Sequence, residues 1–139
     1  MNAVDTNVFV YLVDVDEPAK RARANELMDQ LAVQEDSTVL LWQVAVEFLA
    51  CLRRWESLGK VTRPQRLRYW HQVAAMFDII PPTVKVIDMA LELSSRYSLS
   101  HWDSLLVAGC LEANVKTLYS EDLAHGMTYE SVTVVNPFA

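Results

Sequence analysis

Four acidic residues of this 139-residue sequence fall where a carboxylate could do chemistry: Asp5, Glu47, Asp103 and Asp122. Two ionised carboxylates about 4 Å apart repel by several kcal/mol at an effective dielectric of roughly 20, so four in one pocket would need a positive charge among them. Oxygen ligands with open coordination positions suit Mg²⁺ or Mn²⁺ rather than zinc. Such a cation activates water, orients a phosphodiester and stabilises a leaving oxygen.

The elements that must position these acids follow from the apolar periodicity, which predicts alternating strands and helices in one domain over residues 1–139. Strands are expected at 2–4, 38–41, 78–80, 116–119 and 132–135, and helices at 6–14, 17–34, 43–58, 63–76, 83–97 and 100–113. Pro18 in a first turn and Gly59 at a C-terminal cap support two helix boundaries. The predicted fold is a three-layer α/β/α domain with a mostly parallel central sheet of about five strands.

The four acids gather at one edge of this predicted sheet. Asp5 and Asp122 each follow a strand directly, at the carboxyl ends where open parallel sheets place their sites. Glu47 lies in the first turns of the helix that leaves the second strand. Asp103 lies at the start of the helix that runs antiparallel to the fourth strand, so this start is expected at the same edge.

Each acid also has a structural explanation when it is taken alone. Asp5 could cap the helix that follows it, and Asp122 could serve a turn after a strand. Asp103 could be the acid of a capping box that begins at Ser100. The four explanations together are weaker, because they require independent acids to share one edge by chance.

Glu47 is the hardest acid to explain structurally, because it interrupts the apolar run VAVEFLA on an inward-facing helix. A buried carboxylate without a partner is rare and costly. Its structural alternative is an ion pair with Arg53 or Arg54.

Composition narrows the classes of function. No apolar run approaches the roughly 20 residues of a membrane span, and the N-terminus lacks the basic region of a signal peptide, so a cytoplasmic location without membrane contact is expected. Cys51 and Cys110 are expected to be buried, reduced thiols.

The absence of a Walker lysine motif or glycine-rich loop argues against nucleoside triphosphate chemistry. A net charge of −6 argues against broad, sequence-independent binding to a polyanion.

Five segments resemble motifs of PIN-domain nucleases, in the family's order and along the whole chain. They are V-D-T-N-V at 4–8, the apolar helix with Glu47, HWDSLLVAGCLEAN at 101–114, TLYSEDLAHG at 117–126 and VVNPF at 134–138. The last segment is similar to the end of bacterial VapC-type toxins, one branch of the family. Each motif is weak alone, but together they make the resemblance strong.

The resemblance implies a metal-dependent endoribonuclease that cleaves RNA with a metal-activated water and needs no side-chain nucleophile. Metal binding, by Mg²⁺ or Mn²⁺, would then involve Asp5, Asp103 and Asp122. Glu47 would complete the pocket.

Residues near these acids would support them. Asn7 would brace the first carboxylate by hydrogen bonding, or be an ordinary first-turn residue. Ser120, two residues before the last acid, would do similar work, or cap a helix. Glu121 is adjacent to Asp122 and could take its place, but the S-x-D spacing favours Asp122.

The VapC branch further implies a homodimer and a small antitoxin that wraps the toxin and can push a basic side chain into the acidic pocket. It also implies the cytoplasm of a bacterium or archaeon. The alternatives are a non-toxin PIN nuclease in RNA maturation and a catalytically idle PIN scaffold that binds a protein partner. A haloacid-dehalogenase-like phosphatase with Asp5 as nucleophile would want a second Asp where Asn7 stands.

Contacts with RNA are expected outside the pocket. The residues assigned to them are Arg53, Arg54, Arg63 and Arg66, and the alternative is a solvated helical face. Trp102 could stack on a base, although packing is favoured. His101 and His125 flank the two later acids and could help a proton transfer, although surface histidines are the favoured interpretation.

Overall fold

The computed structural model describes residues 1–139 and contains six strands and six helices. The strands are β1 (Asn2–Val4), β2 (Thr38–Leu41), β3 (Asp78–Ile80), β4 (Thr117–Tyr119), β5 (Thr128–Tyr129) and β6 (Val132–Val135). The helices are α1 (Thr6–Val13), α2 (Pro18–Val33), α3 (Trp42–Ser57), α4 (Arg63–Ala74), α5 (Lys85–Tyr97) and α6 (His101–Glu112). None of these helices has the length and apolar character needed to span a membrane.

The strands form one sheet in the order β3-β2-β1-β4-β6-β5. The central strand β1 pairs in parallel with β2 and β4, so that Ala3 lies opposite both Val39 and Leu118. Only the β5–β6 pair is antiparallel. The predicted α/β fold with a mostly parallel sheet is confirmed. The additional strand β5 was not predicted, because two residues are too few to show an alternating pattern.

The helices cover both faces of the sheet. The chain steps from β1 to β2 to β3 in one direction and then returns to β4 on the other side of β1. Right-handed crossovers therefore place α1 to α4 on one face and α5 with α6 on the other. The helix contacts agree, since α1 packs against α2 and α3, whereas α5 packs against α6.

A single apolar core of 33 buried residues joins the sheet to these helices. Phe9 on α1 and Phe48 on α3 are fully buried, and their ring centroids are 6.2 Å apart. Because Phe9 lies one turn beyond Asp5 and Phe48 follows Glu47, this packing fixes the relative position of the two helices that carry those acids.

The helix ends follow the predicted signals with one correction. Pro18 is the first residue of α2, and Gly59 follows α3 with a φ of +76°. At the start of α6 the Ser100 hydroxyl accepts a hydrogen bond from the Asp103 backbone N–H at 3.2 Å. The predicted capping box is wrong in its second half, because the Asp103 side chain is shorter than the usual Glu or Gln and does not bond back to Ser100.

Candidate metal centre

Asp5 lies at the centre of the carboxyl edge, because it ends the central strand β1 and caps α1. Its backbone N–H donates to the carbonyl of Tyr119 at 2.8 Å, which continues the parallel ladder. Its carboxylate accepts two hydrogen bonds of 2.7 Å, one from the backbone N–H of Thr6 and one from the hydroxyl of Ser120. Capping therefore accounts for only one of its two oxygens.

The pKa of Asp5 is raised from 3.8 to about 6, mainly because the side chain is buried. The hydrogen bonds from Ser120 and Thr6 oppose this rise, whereas the negative charges of Asp122 and Glu47 add to it. The structure therefore brings three of the four predicted acids close enough for their charges to interact.

Ser120 joins the two strand ends that carry Asp5 and Asp122. It is fully buried directly after β4. Its hydroxyl donates to Asp5 Oδ2 at 2.7 Å and accepts a hydrogen bond from the backbone N–H of Asp122 at 3.2 Å. The helix-capping alternative for Ser120 does not apply, because no helix follows it.

Glu47 projects from α3 toward α1 and is held at both carboxylate oxygens. The Thr6 hydroxyl donates to Oε2 at 2.8 Å, and the Gln43 side-chain amide donates to Oε1 at 3.0 Å. Neither Arg53 nor Arg54 pairs with it. The alternative of a structural ion pair is therefore wrong, because both arginines lie about two helical turns further along α3.

The two consecutive acids after Ser120 have different surroundings. Glu121 receives hydrogen bonds from Lys20 Nζ at 2.5 Å and from the Tyr11 hydroxyl at 2.7 Å. Burial raises the pKa of Glu121, but the contacts with Lys20 and Tyr11 outweigh it and leave the pKa below its usual value. The Asp122 carboxylate has no such partner and is exposed. Of these two acids, Asp122 is the one free to bind a cation.

Asp103 is the fourth predicted acid, and its helix covers the other face of the sheet from α1 and α3. It is half-buried in the first turn of α6, and its carboxylate makes no hydrogen bond. Its charge is not among those that raise the pKa of Asp5. The backbone at the start of α6 contacts α3, because the carbonyl of Trp102, the residue before Asp103, accepts a hydrogen bond of 3.0 Å from Gln43.

Asn7 does not make the hydrogen bond to Asp5 that the family resemblance implies. Both polar atoms of its side-chain amide are buried and have no partner. Asn7 lies in the first turn of α1, beyond the Thr6 N–H that already occupies Asp5 Oδ1. The side chain is thus a buried donor and acceptor whose hydrogen bonds are unsatisfied, which is costly unless something else binds there.

The donor set fits an oxygen-preferring dication, although the acids are not yet arranged around one. No three His, Cys, Asp or Glu side chains converge closely enough to hold an ion as they stand. Mg²⁺ usually binds through only one or two carboxylates and keeps several waters, so three converged ligands are not required. None of the four acids is paired with a basic residue. The carboxylates of Asp103 and Asp122 are also free of hydrogen bonds that would prevent their rotation.

The arginines predicted to contact RNA lie along the later part of α3 and on α4. Arg53, Arg54 and Arg63 are exposed. Arg66 is already paired with Glu56, with an N–O distance of 3.2 Å. Three of the four arginines are therefore accessible, but none of them lies in the acidic pocket.

Thr6 and Gln43 hold the acids together and were not singled out in the sequence. Thr6 binds Asp5 through its backbone and Glu47 through its hydroxyl. Gln43 binds Glu47 and the backbone of α6. The only signals for them are the position of Thr6 beside Asp5 and the four-residue spacing of Gln43 and Glu47, which places both on one helix face.

An apolar groove opens beside the acids. Trp42 and Trp102, 52% and 62% exposed, line it together with Gln43 and Val46. Packing inside the protein is therefore the wrong interpretation for Trp102, because most of its ring is in solvent. His101 contacts its ring edge-on at 4.7 Å between centroids.

His125 is tied to the C-terminal segment rather than to the acids. Its Nδ1 accepts a hydrogen bond of 2.9 Å from the backbone N–H of Asn136. The side chain is exposed, as expected for a surface histidine.

Comparison with known proteins identifies the family. The PIN domain family model matches residues 3–126. A VapBC-1 structure from nontypeable Haemophilus influenzae has a TM-score of 0.72 at 11% identity and covers 99% of this chain and 98% of its own. A toxin–antitoxin complex from Klebsiella pneumoniae has a TM-score of 0.68 at 17% identity, with coverage of 99% and 98%.

A third similar structure is VapC20 of Mycobacterium tuberculosis, described as a toxin that cleaves the sarcin-ricin loop. It has a TM-score of 0.67 at 16% identity and covers 88% of this chain and 90% of its own. At these identities the structures show a shared fold. No curated protein sequence matches the chain.

Proposed function

Because this chain belongs to the PIN domain family, we propose that it is a metal-dependent endoribonuclease and the toxin of a toxin–antitoxin pair. The proposal assigns metal binding to Asp5, Asp103 and Asp122, with Glu47 completing the pocket. It takes the catalytic domain to run over residues 1–139, since β6, at Val132–Val135, pairs with β4 beyond the matched segment.

The observation that carries the proposal is the state of Asp5. This carboxylate is only 6% exposed and faces Glu47 and Asp122, yet no basic side chain pairs with it. A folded protein rarely keeps such a group unless a cation or a proton neutralises it. A divalent metal would relieve the repulsion among these carboxylates and would offset the free energy that burial of Asp5 costs.

The pocket residues have distinct tasks in this proposal. When bound, Mg²⁺ or Mn²⁺ supplies a water of lowered pKa and positive charge for the phosphodiester. Ser120 and Thr6 orient Asp5 through one hydrogen bond to each oxygen. Asp122 and Asp103 would supply the remaining carboxylate ligands.

The proposed partners are an RNA substrate, a small antitoxin and a second copy of this chain, in the cytoplasm. The similar Haemophilus and Klebsiella structures, which are toxin–antitoxin assemblies, support an antitoxin. An antitoxin could bring a basic side chain to the unpaired acids. The exposed arginines Arg53, Arg54 and Arg63 support RNA contacts outside the pocket, whereas Arg66 would first have to leave Glu56.

The homodimer is supported by an exposed apolar face on α3, α5 and α6. Leu105 joins two depressions on this face, one lined by Trp42 and Trp102 and the other by Ile87 and Leu91. Apolar surface that extends over three helices is unusual for a monomer and is typical of an interface.

The test is cleavage of a mixed RNA pool and of total cellular RNA by the purified protein, with Mg²⁺, with Mn²⁺ and with EDTA. The variant is Asp5→Asn, and the matched control is Asp29→Asn, which removes an exposed carboxylate on α2. We expect metal-dependent cleavage by the wild type and the control, and none by Asp5→Asn.

Each outcome has a clear meaning. Full activity of Asp5→Asn would overturn the metal-site assignment. Absence of cleavage of every RNA, with either metal, would overturn the nuclease proposal in favour of an idle scaffold that binds a partner. Cleavage by the wild type, followed by loss of growth inhibition when a neighbouring gene is co-expressed, would separate a toxin from an RNA-maturation enzyme.

A further inference from the structure

Three uncharged side chains link the segments that carry the four acids. Ser120 joins Asp5 to the backbone of Asp122, and Thr6 joins Asp5 to Glu47. The remaining link, from Glu47 to the start of α6, depends on Gln43 alone. The sequence resemblance assigns no role to Gln43.

The geometry of Gln43 determines which of its atoms make these contacts. Its amide nitrogen lies 3.0 Å from Glu47 Oε1 and 3.0 Å from the backbone carbonyl oxygen of Trp102. Both partners accept hydrogen bonds and neither can donate. The nitrogen, and not the oxygen, must therefore face them, and both of its protons are used.

The Trp102 carbonyl belongs to the residue immediately before Asp103. Because Trp102 and Asp103 lie in the first turn of α6, a hydrogen bond to this carbonyl holds the part of the helix from which Asp103 projects. The same amide holds Glu47 on α3. One side chain thus connects the two backbones that carry these carboxylates.

We propose that Gln43 is a positioning residue that sets the distance between Glu47 and Asp103, and thereby the affinity of the pocket for its divalent metal. This inference rests on the proposed function. Partners that orient metal ligands typically change metal affinity by about 10- to 100-fold when they are removed.

The choice of variant follows from the two donors that Gln43 supplies. Asparagine is one methylene shorter and cannot span from α3 to both acceptors. Glutamate has the length but lacks the protons, and it would add a carboxylate next to Glu47. Methionine preserves the length and the helix propensity and removes the side-chain amide with both donors, so Gln43→Met is the cleanest variant.

The test is titration of Mn²⁺ into the metal-free protein, with free Mn²⁺ followed by electron paramagnetic resonance and no RNA present. We expect Gln43→Met to bind Mn²⁺ about 10-fold more weakly than the wild type. The control is Gln72→Met, an exposed glutamine on α4 without a hydrogen bond, which should bind as the wild type does. Thermal unfolding in EDTA should change by no more than about 2 °C in either variant.

The same substitution made in an Asp103→Asn variant shows whether Gln43 acts through Asp103. In Asp103→Asn, which itself binds Mn²⁺ more weakly, the added Gln43→Met change should cause little further loss. Equal loss in both backgrounds would overturn the role assigned to Asp103. Wild-type affinity in Gln43→Met, or a loss matched by a lower unfolding temperature, would overturn the positioning role. A wild type that binds no Mn²⁺ would instead overturn the proposed function itself.

Discussion

The hydroxyl of Thr6 donates a hydrogen bond of 2.8 Å to Glu47 Oε2, across 41 residues of sequence. It is the direct polar link between α1 and α3 at the pocket. Because the adjacent backbone N–H holds Asp5, one residue determines the orientation of two acids.

Removal of this hydroxyl should impair cleavage without unfolding the protein. In Thr6→Val the shape is kept, but Glu47 loses the donor at Oε2, and we expect cleavage to fall about 10-fold. Thr6→Ser keeps the hydroxyl and should retain most of the activity. Cleavage rates of both variants, measured beside their unfolding temperatures, check this, and equal rates for the two would contradict it.

The two consecutive acids after Ser120 should respond differently to neutralisation. Asp122→Asn should lower cleavage by about 100-fold or more, because a proposed metal ligand is lost. Glu121→Gln should leave cleavage nearly unchanged and lower stability by at most about 1 kcal/mol, because the partly exposed ion pair with Lys20 is lost.

Cleavage rates and denaturant midpoints of these two variants test whether Asp122 and Glu121 have these different roles. Greater damage to cleavage from Glu121→Gln would show that the loop turns the other acid inward.

Without metal, the raised pKa of Asp5 should make the protein less stable as pH rises. The folded state holds this proton up to a pKa of about 6, whereas the unfolded value is near 3.8. The stabilisation is therefore full below about pH 4 and is lost as pH rises through 6, with an upper limit of about 3 kcal/mol.

Urea unfolding in EDTA between pH 4 and 7 tests this, and the difference from Asp5→Asn isolates the contribution of this one group. Asp5→Asn should lack the decline and be the more stable protein at pH 7. Parallel pH profiles for the two proteins would contradict the assignment. Added Mg²⁺ should restore stability to the wild type at pH 7, because it binds the ionised form.

The apolar face should control the oligomeric state. Leu91 is 66% exposed, and Leu91→Glu should convert the proposed dimer to a monomer by placing a charge in the interface. Val33→Glu is the control, since this 84% exposed residue lies at the end of α2, away from that face. Light scattering after gel filtration gives the masses, and a monomeric wild type would remove the dimer from the proposal.

The sequence predicted the sheet well because its strands depend on short-range patterns. Asp5 and Asp122 follow strands, and parallel strands bring their carboxyl ends together whatever their separation in the chain. The preference for Asp122 over Glu121 rested only on spacing. The Lys20 contact that engages Glu121 bridges 101 residues, so no local pattern could reveal it.

The hydrogen bonds between helices could not be predicted from the sequence for a related reason. The hydrogen bond from Gln43 to the Trp102 carbonyl is made to a backbone atom 59 residues away, and backbone acceptors leave no trace in residue identity. The exposure of Trp102 was likewise misjudged, because an aromatic side chain in an apolar stretch usually packs inside the protein.

The hydrogen bond between Ser120 and Asp5 spans 115 residues, and β1 needs β4 beside it to complete the edge. A growing polypeptide therefore carries its first acid long before the segment that anchors this acid has been translated. Until residue 122 has emerged from the ribosome the pocket cannot exist. If the proposed function holds, the nuclease would be inactive during most of its own synthesis.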